Sequence, residues 1–193
     1  MIHRISESIT GFLISKEVIE REEADIYVYG YETLLSGVID FAIVTAIGCL
    51  TGHLLNALVF FIMFVSVRMY SGGYHAQTYG KCKLTMVLLL LAVLGISMVK
   101  LPLSAVCLLL ILLLITVWFR APVENTNKPL DALEKKKYRR ISVILSAFWG
   151  IAALIAYFFS NTISATIAGT GFFIALLMVA AIYWKEEHAD EKE

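Results

Sequence analysis

From residue 33 onward the chain alternates long apolar runs with short polar breaks. The runs cover roughly 33–50, 53–67, 84–99, 101–119, 141–159 and 163–184. A helix needs ~20 apolar residues to cross a hydrocarbon core. Several of these runs are shorter, a deficit met by extension into the interface or by local bilayer thinning. The pattern predicts an all-α fold, a polytopic membrane helix bundle of about six transmembrane helices. Only Thr51-Gly52 separates the first two runs, so one merged span is the alternative topology. Ahead of them, Ile2, Ile5, Ile9, Phe12 and Ile19 recur near helical spacing, with Arg4, Glu7, Lys16, Glu17 and Glu20 largely elsewhere around the wheel. That spacing predicts an N-terminal amphipathic helix lying in the membrane interface. Packing on the protein's own loops is the other way to use such a face.

Composition supports the membrane reading. Of 193 residues, 59% are hydrophobic and 17% charged, more apolar material than a soluble core of this size buries. A single integral membrane domain, 1–193, is expected, with an interfacial segment at 1–31, a polar island at 68–83 and a basic loop at 120–140. The formal net charge is zero, which removes any global field for nucleic acid. The cations are segregated instead. With six spans and the N-terminus inside, fifteen of the sixteen Lys and Arg fall on the cytoplasmic side and only Lys100 falls outside. Both termini and the island are therefore expected in the cytoplasm. The charged N-terminus lacks the short apolar core of a cleavable secretory signal. Cys49 and Cys107 lie inside apolar runs and read as small buried hydrophobes.

The third cysteine differs. Residues 68–83 hold Arg68, His75, Gln77 and Cys82 among glycines and cations. The thiolate is the reactive form of cysteine. Lys81 and Lys83 flank Cys82, and the third span should begin there, where free backbone N–H groups and the helix dipole favour an anion. His75 is placed to take the thiol proton and return one to a leaving amine. Backbone N–H groups near Cys82, or the Gln77 side chain, are candidate oxyanion donors. In a straight helix, seven residues would hold His75 and Cys82 roughly 10 Å apart. The chain must bend between them, and Gly72, Gly73 and Gly80 permit a bend. A solvated interfacial His beside an ordinary Cys is the plain alternative. Zinc needs three or four ligands, and His53 and Cys49 fall near the opposite face, so no metal and no cofactor is expected. Asp40 lies about eight residues into the first span, where an acid is costly. Orienting His75, pairing with Arg68 and acting as a protonated structural carboxyl are all open to it.

Arg68, then Gly73-Tyr74-His75-Ala76, then Cys82 seven residues after the His, followed by Ala121-Pro122 and Lys128-Pro129 after the fourth span, resemble the accessory gene regulator B (AgrB) family. The resemblance covers most of the chain, including its length and span order. It implies a bacterial cell-membrane endopeptidase that processes a quorum-sensing peptide precursor. His75 and Cys82 would then be catalytic, with Cys82 holding the peptide as a thioester that an internal Cys or Ser resolves into a ring. Glu32, at the cytoplasmic end of the first span, matches a position where the family tends to carry Glu or Gln. The implied partner is a short precursor with an amphipathic leader and an acidic tail. Lys135, Lys136 and Lys137 would attract that tail, unless they serve only as topological anchors. Ala165 and Gly169, at small-xxx-small spacing, suit close helix approach within the protein or in a homodimer. A membrane transporter or a non-catalytic scaffold are the rival functions. Neither the symmetric broken helices of a transporter nor an internal repeat is visible in the sequence.

Overall fold

The computed structural model describes residues 2–72, 79–123 and 131–190. Within them the protein is a set of α-helices: α1 (Ile2–Ser15), α2 (Ala24–Thr51), α3 (Leu54–Ser71), α4 (Tyr79–Ser97), α5 (Leu103–Arg120), α6 (Ala132–Phe159) and α7 (Asn161–Asp190). A 3-10 turn, Arg21–Glu23, leads into α2. Five helices are long and apolar enough to cross a membrane, and the apolar part of α4, Cys82–Ser97, is a shorter sixth. The protein is an all-α membrane bundle.

The doubtful first pair is two helices. Gly52 takes φ 71 and donates to the Cys49 carbonyl, and His53 donates to the Gly48 carbonyl, so the break is a left-handed glycine cap. Contacts divide the chain into two compact units, Met1–Ala46 and Ile47–Glu193.

In the first unit, α1 is shorter than the spacing of Ile19 suggested. It closes on Glu17, at φ 56, whose N–H bonds the Ile14 carbonyl. Ile19 is buried, but beyond the helix. The inward residues of α1 are Ser6 and Thr10, whereas Ile5 and Phe12 are exposed.

In the second unit α7 is central and packs on α3, α4, α5 and α6. All residues from 164 to 171 are buried: Ser164, Ala165, Thr166, Ile167, Ala168, Gly169, Thr170 and Gly171. Their small side chains let the neighbours approach. A Cβ on Gly169 would meet Ile96 at 3.5 Å, and one on Gly171 would meet Leu113 at 3.0 Å. The small-residue spacing of α7 is thus used inside the protein. Polar ties fix the register. Asn56 donates to Thr166 Oγ1 at 2.7 Å, and Trp149 Nε1 donates to Ser66 Oγ at 3.1 Å. Asn161 accepts from the Leu101 N–H and donates to the Leu101 carbonyl.

Half of the expected 120–140 loop is helix. Asp131 caps α6, accepting from the Ala132 N–H, while Glu134 reaches back to the Asp131 N–H at 3.2 Å. This capping box precedes a Lys- and Arg-rich stretch of good helix formers, so the charged residues extend the span as helix.

Candidate functional site

The site lies where α3 ends and α4 begins. The last turn of α3 carries Arg68, half-buried, with its guanidinium 5.1 Å from the Phe64 ring centroid. Cys82 is the fourth residue of α4 and half-buried. It therefore stands in the first turn of its helix, where backbone N–H groups lack intrahelical partners. α3 ends at Ser71 and α4 begins at Tyr79, and the bend expected between His75 and Cys82 falls on residues outside those described. His75 itself, Gln77 and the Lys128-Pro129 pair lie outside the described residues.

The other cysteines are not core residues. Cys49 is exposed and Cys107 half-buried, and neither is in a disulfide. The expectation that both are buried fails because apolar neighbours along the chain do not fix which side of a helix packs against other helices. His53 stands at the start of α3, fifteen residues and roughly 22 Å of helix from Arg68. Among the described residues, no three His, Cys, Asp or Glu gather as metal ligands.

Glu32 and Asp40 both lie on α2 in the Met1–Ala46 unit and are half-buried. Glu32 Oε1 is 2.6 Å from His3 Nδ1, and the other ring nitrogen of His3 is 3.3 Å from Glu7. Sequence reasoning missed His3. It stands 29 residues from Glu32, and no local spacing announces such a pair.

A second missed feature is a backbone stitch. Ala121 precedes a proline, which holds it extended and ends α5. The next residue, Val123, donates its N–H to the Ser71 carbonyl at 2.9 Å and forms a parallel bridge with Gly72. The start of the Gly-rich island and the Ala-Pro motif are therefore adjacent in space. Tyr70 of α3 and Tyr138 of α6 meet edge to face at 5.6 Å nearby in sequence. Arg139 donates to the Trp118 carbonyl and lies 5.8 Å from its ring, which caps α5.

Lys135, Lys136 and Lys137 are exposed on the first turns of α6. Consecutive helical residues fan by about 100°, so the three cannot all face one ligand. Lys135 precedes Tyr138 by three and Arg139 by four, and shares the side of α6 that meets α3 and α5. Lys136 and Lys137 fall progressively further round.

A family model described as Accessory gene regulator B matches residues 6–182. The chain is 31% identical over 158 residues to a putative AgrB-like protein of Listeria innocua, covering 79% of this chain and 78% of that one. It is 28% identical over 145 residues to a putative AgrB-like protein of Clostridium perfringens, covering 71% and 68%. To Protein FsrB of Enterococcus faecalis it is 26% identical over 125 residues, covering 61% and 52%. No solved structure gives a significant match.

Proposed function

Because the chain belongs to the accessory gene regulator B family and with it takes part in quorum-sensing peptide processing, we propose that it is the membrane-embedded cysteine endopeptidase of that process. The observation that carries this reading is Cys82, a free and half-buried thiol in the opening turn of α4. The substrate is a short peptide precursor with an amphipathic leader and an acidic tail. Cys82 attacks the carbonyl that precedes the tail. His75 accepts the thiol proton and delivers it to the departing amine, so the tail leaves with a new N-terminus. The rest of the peptide stays on Cys82 as a thioester. A Cys or Ser within the peptide then attacks that thioester, closes the ring as a thiolactone or lactone, and returns Cys82 as the thiol. Keeping water out at the lipid boundary favours ring closure over hydrolysis.

In this reading the protein is multi-pass, with its termini and site on the cytoplasmic side, an orientation that the segregation of Lys and Arg supports. The exposed face of α1, with Ile5 and Phe12, lies in the same interface that an amphipathic leader would occupy. Lys135, Lys136 and Lys137 form the basic surface for the acidic tail. Their fan gives Lys135 the largest share, so Lys135→Gln raises KM more than Lys137→Gln.

The test is incubation of the liposome-embedded protein with the precursor, followed by mass spectrometry. Cys82→Ala and His75→Ala should abolish cleavage while the protein stays folded. Combined Cys49→Ala and Cys107→Ala should leave cleavage intact. Tail release by Cys82→Ala would end the thiol mechanism.

A further inference from the structure

Arg139 joins two helices and still has donors to spare. One N–H of its guanidinium goes to the Trp118 carbonyl, and its Cζ lies 5.8 Å from the centroid of the Trp118 ring. A guanidinium carries five N–H donors, and Arg139 is exposed. We propose that Arg139, Arg140 and Trp118, where α5 ends and α6 begins, seat the phosphate of an anionic phospholipid whose acyl chains run along the outer faces of the two helices. This seat requires only the membrane bundle and is separate from the acyl transfer.

Two apolar stripes lead to this point. On α5, Ile111, Ile115 and Trp118 are exposed and recur at the four- and three-residue spacing of one helix face. On α6, Arg140, Ile144, Phe148 and Ile151 are exposed and also share a face. The opposite side of α6 is turned inward: Ser142, Ser146, Gly150 and Ala153 are buried, and Tyr138 meets Tyr70 of α3. Arg139, between the inward and outward sides, bridges to α5. Each stripe is thus apolar along its length and ends at an indole or a guanidinium. A phospholipid presents the same order of chemistry, with apolar chains first and then a phosphate.

Charge selects the kind of lipid. Arg120, the last residue of α5, is exposed along with Arg139 and Arg140. α5 has no acidic residue, and the acid of α6, Glu134, sits in its N-terminal capping box. Arg suits phosphate because its planar fork offers paired N–H groups and it gives up water more readily than an ammonium. Trp118 stands where indoles concentrate in membrane proteins, at the boundary of hydrocarbon and water. A zwitterionic headgroup would bring a cation of its own against these guanidinium groups, whereas an anionic one would not.

The test titrates the full chain in detergent with phosphatidylglycerol or phosphatidylcholine, and native mass spectrometry reads the dissociation constant of each bound lipid. The parent should bind phosphatidylglycerol at least about fivefold tighter, the effect of one cation near an anionic headgroup. Arg139→Gln and Arg140→Gln should each weaken phosphatidylglycerol by about fivefold and leave phosphatidylcholine unchanged. Arg139→Lys keeps the charge but loses the fork held on Trp118, and should weaken binding by about twofold or more. Lys100→Gln removes an exposed cation ahead of the far end of α5 and should bind like the parent.

Equal affinity of the parent for the two lipids would overturn the seat. So would parent-like binding by Arg140→Gln, a variant that leaves the Arg139–Trp118 contact intact and decides the matter even if the Arg139 variants fail to fold. Full affinity in a folded Arg139→Lys protein, or an equal loss in Lys100→Gln, would replace the seat by a diffuse positive field. Displacement of phosphatidylglycerol by millimolar glycerol phosphate would overturn the lipid as occupant in favour of a soluble phosphate.

Discussion

Apolar stretches of α7 and α2 have nearly the same hydropathy, yet 56% of the α7 stretch is buried within the protein and only 11% of the α2 stretch. The difference follows side-chain size and polarity, not hydrophobicity. Apart from Ile167, residues 164–171 of α7 are small or carry a hydroxyl, which lets α3, α4, α5 and α6 close around them. On α2, Tyr29, Leu34, Val38, Phe41 and Leu50 are exposed. Lipid tails are as apolar as leucine, so burial in a bilayer is driven by close packing and hydrogen bonds rather than by removal from water. A large aliphatic residue is as well placed against lipid as against protein. A glycine or threonine gains from a neighbouring helix, and this is where the two regions part.

The largest test of that contrast enlarges a glycine in each helix. Gly171→Leu would drive into Leu113 and Met63, and should lower the unfolding free energy by about 1–3 kcal/mol or more. A Cβ added at Gly37 on α2 meets nothing within 4 Å, and Gly37→Leu should change stability by no more than about 0.5 kcal/mol. Thermal unfolding in detergent reads both, and equal losses would erase the distinction.

The polar tie comes next. Asn56→Leu removes the 2.7 Å bond to Thr166 and should cost about 0.6–1.7 kcal/mol, the range found for side-chain bonds between membrane helices. On α2, Thr45 bonds only the Phe41 carbonyl of its own helix among the bonds described, so Thr45→Val should leave the melting temperature unchanged. A comparable loss there would mean that α2 depends on polar contacts as α7 does.

A smaller change in the opposite direction is expected at Gly150. It is buried on α6, yet a Cβ there meets nothing within 4 Å. Gly150→Ala should raise stability by roughly 0.5–1 kcal/mol through reduced backbone entropy. A loss would show that α6 is packed more tightly around Gly150 than its geometry indicates. The smallest expected effects are Leu34→Ala and Val38→Ala on the exposed face of α2, each within about 0.5 kcal/mol. Destabilisation by either beyond that would reveal a protein partner on this face.

Much of the architecture was legible because it depends on local pattern. Each apolar run became a helix, and the Thr51-Gly52 break became a glycine cap that separates α2 from α3. The expected start of the third span put Cys82 in the first turn of α4. Errors arose where two local signals competed. The charges at 135–140 read as loop, but the Asp131–Glu134 capping box made them the first turns of α6. Cys49 and Cys107 read as core because apolar surroundings in sequence do not say which face meets protein. At the candidate site, the residue types Arg68 and Cys82 were visible in the sequence, whereas the bond that brings Val123 to the end of α3 was not.

Periodicity and charge order are properties of the sequence itself. They determined the number of apolar helices, the amphipathic start, the uneven distribution of Lys and Arg, and the polar island that interrupts the spans. Contacts between distant residues follow from how helices pack, and local spacing carries no trace of them. Asn56 meets Thr166 across 110 residues, Leu101 meets Asn161 across 60, and Glu32 meets His3 across 29. The bond from Val123 to Ser71 belongs with them. Tertiary structure alone decided that α7 would be the centre of the second unit, and that Gly72 would lie against a backbone leaving no room for a side chain. The physical reason is that helix formation is settled within a few turns of chain, while burial and the geometry of a site depend on which small surfaces find each other.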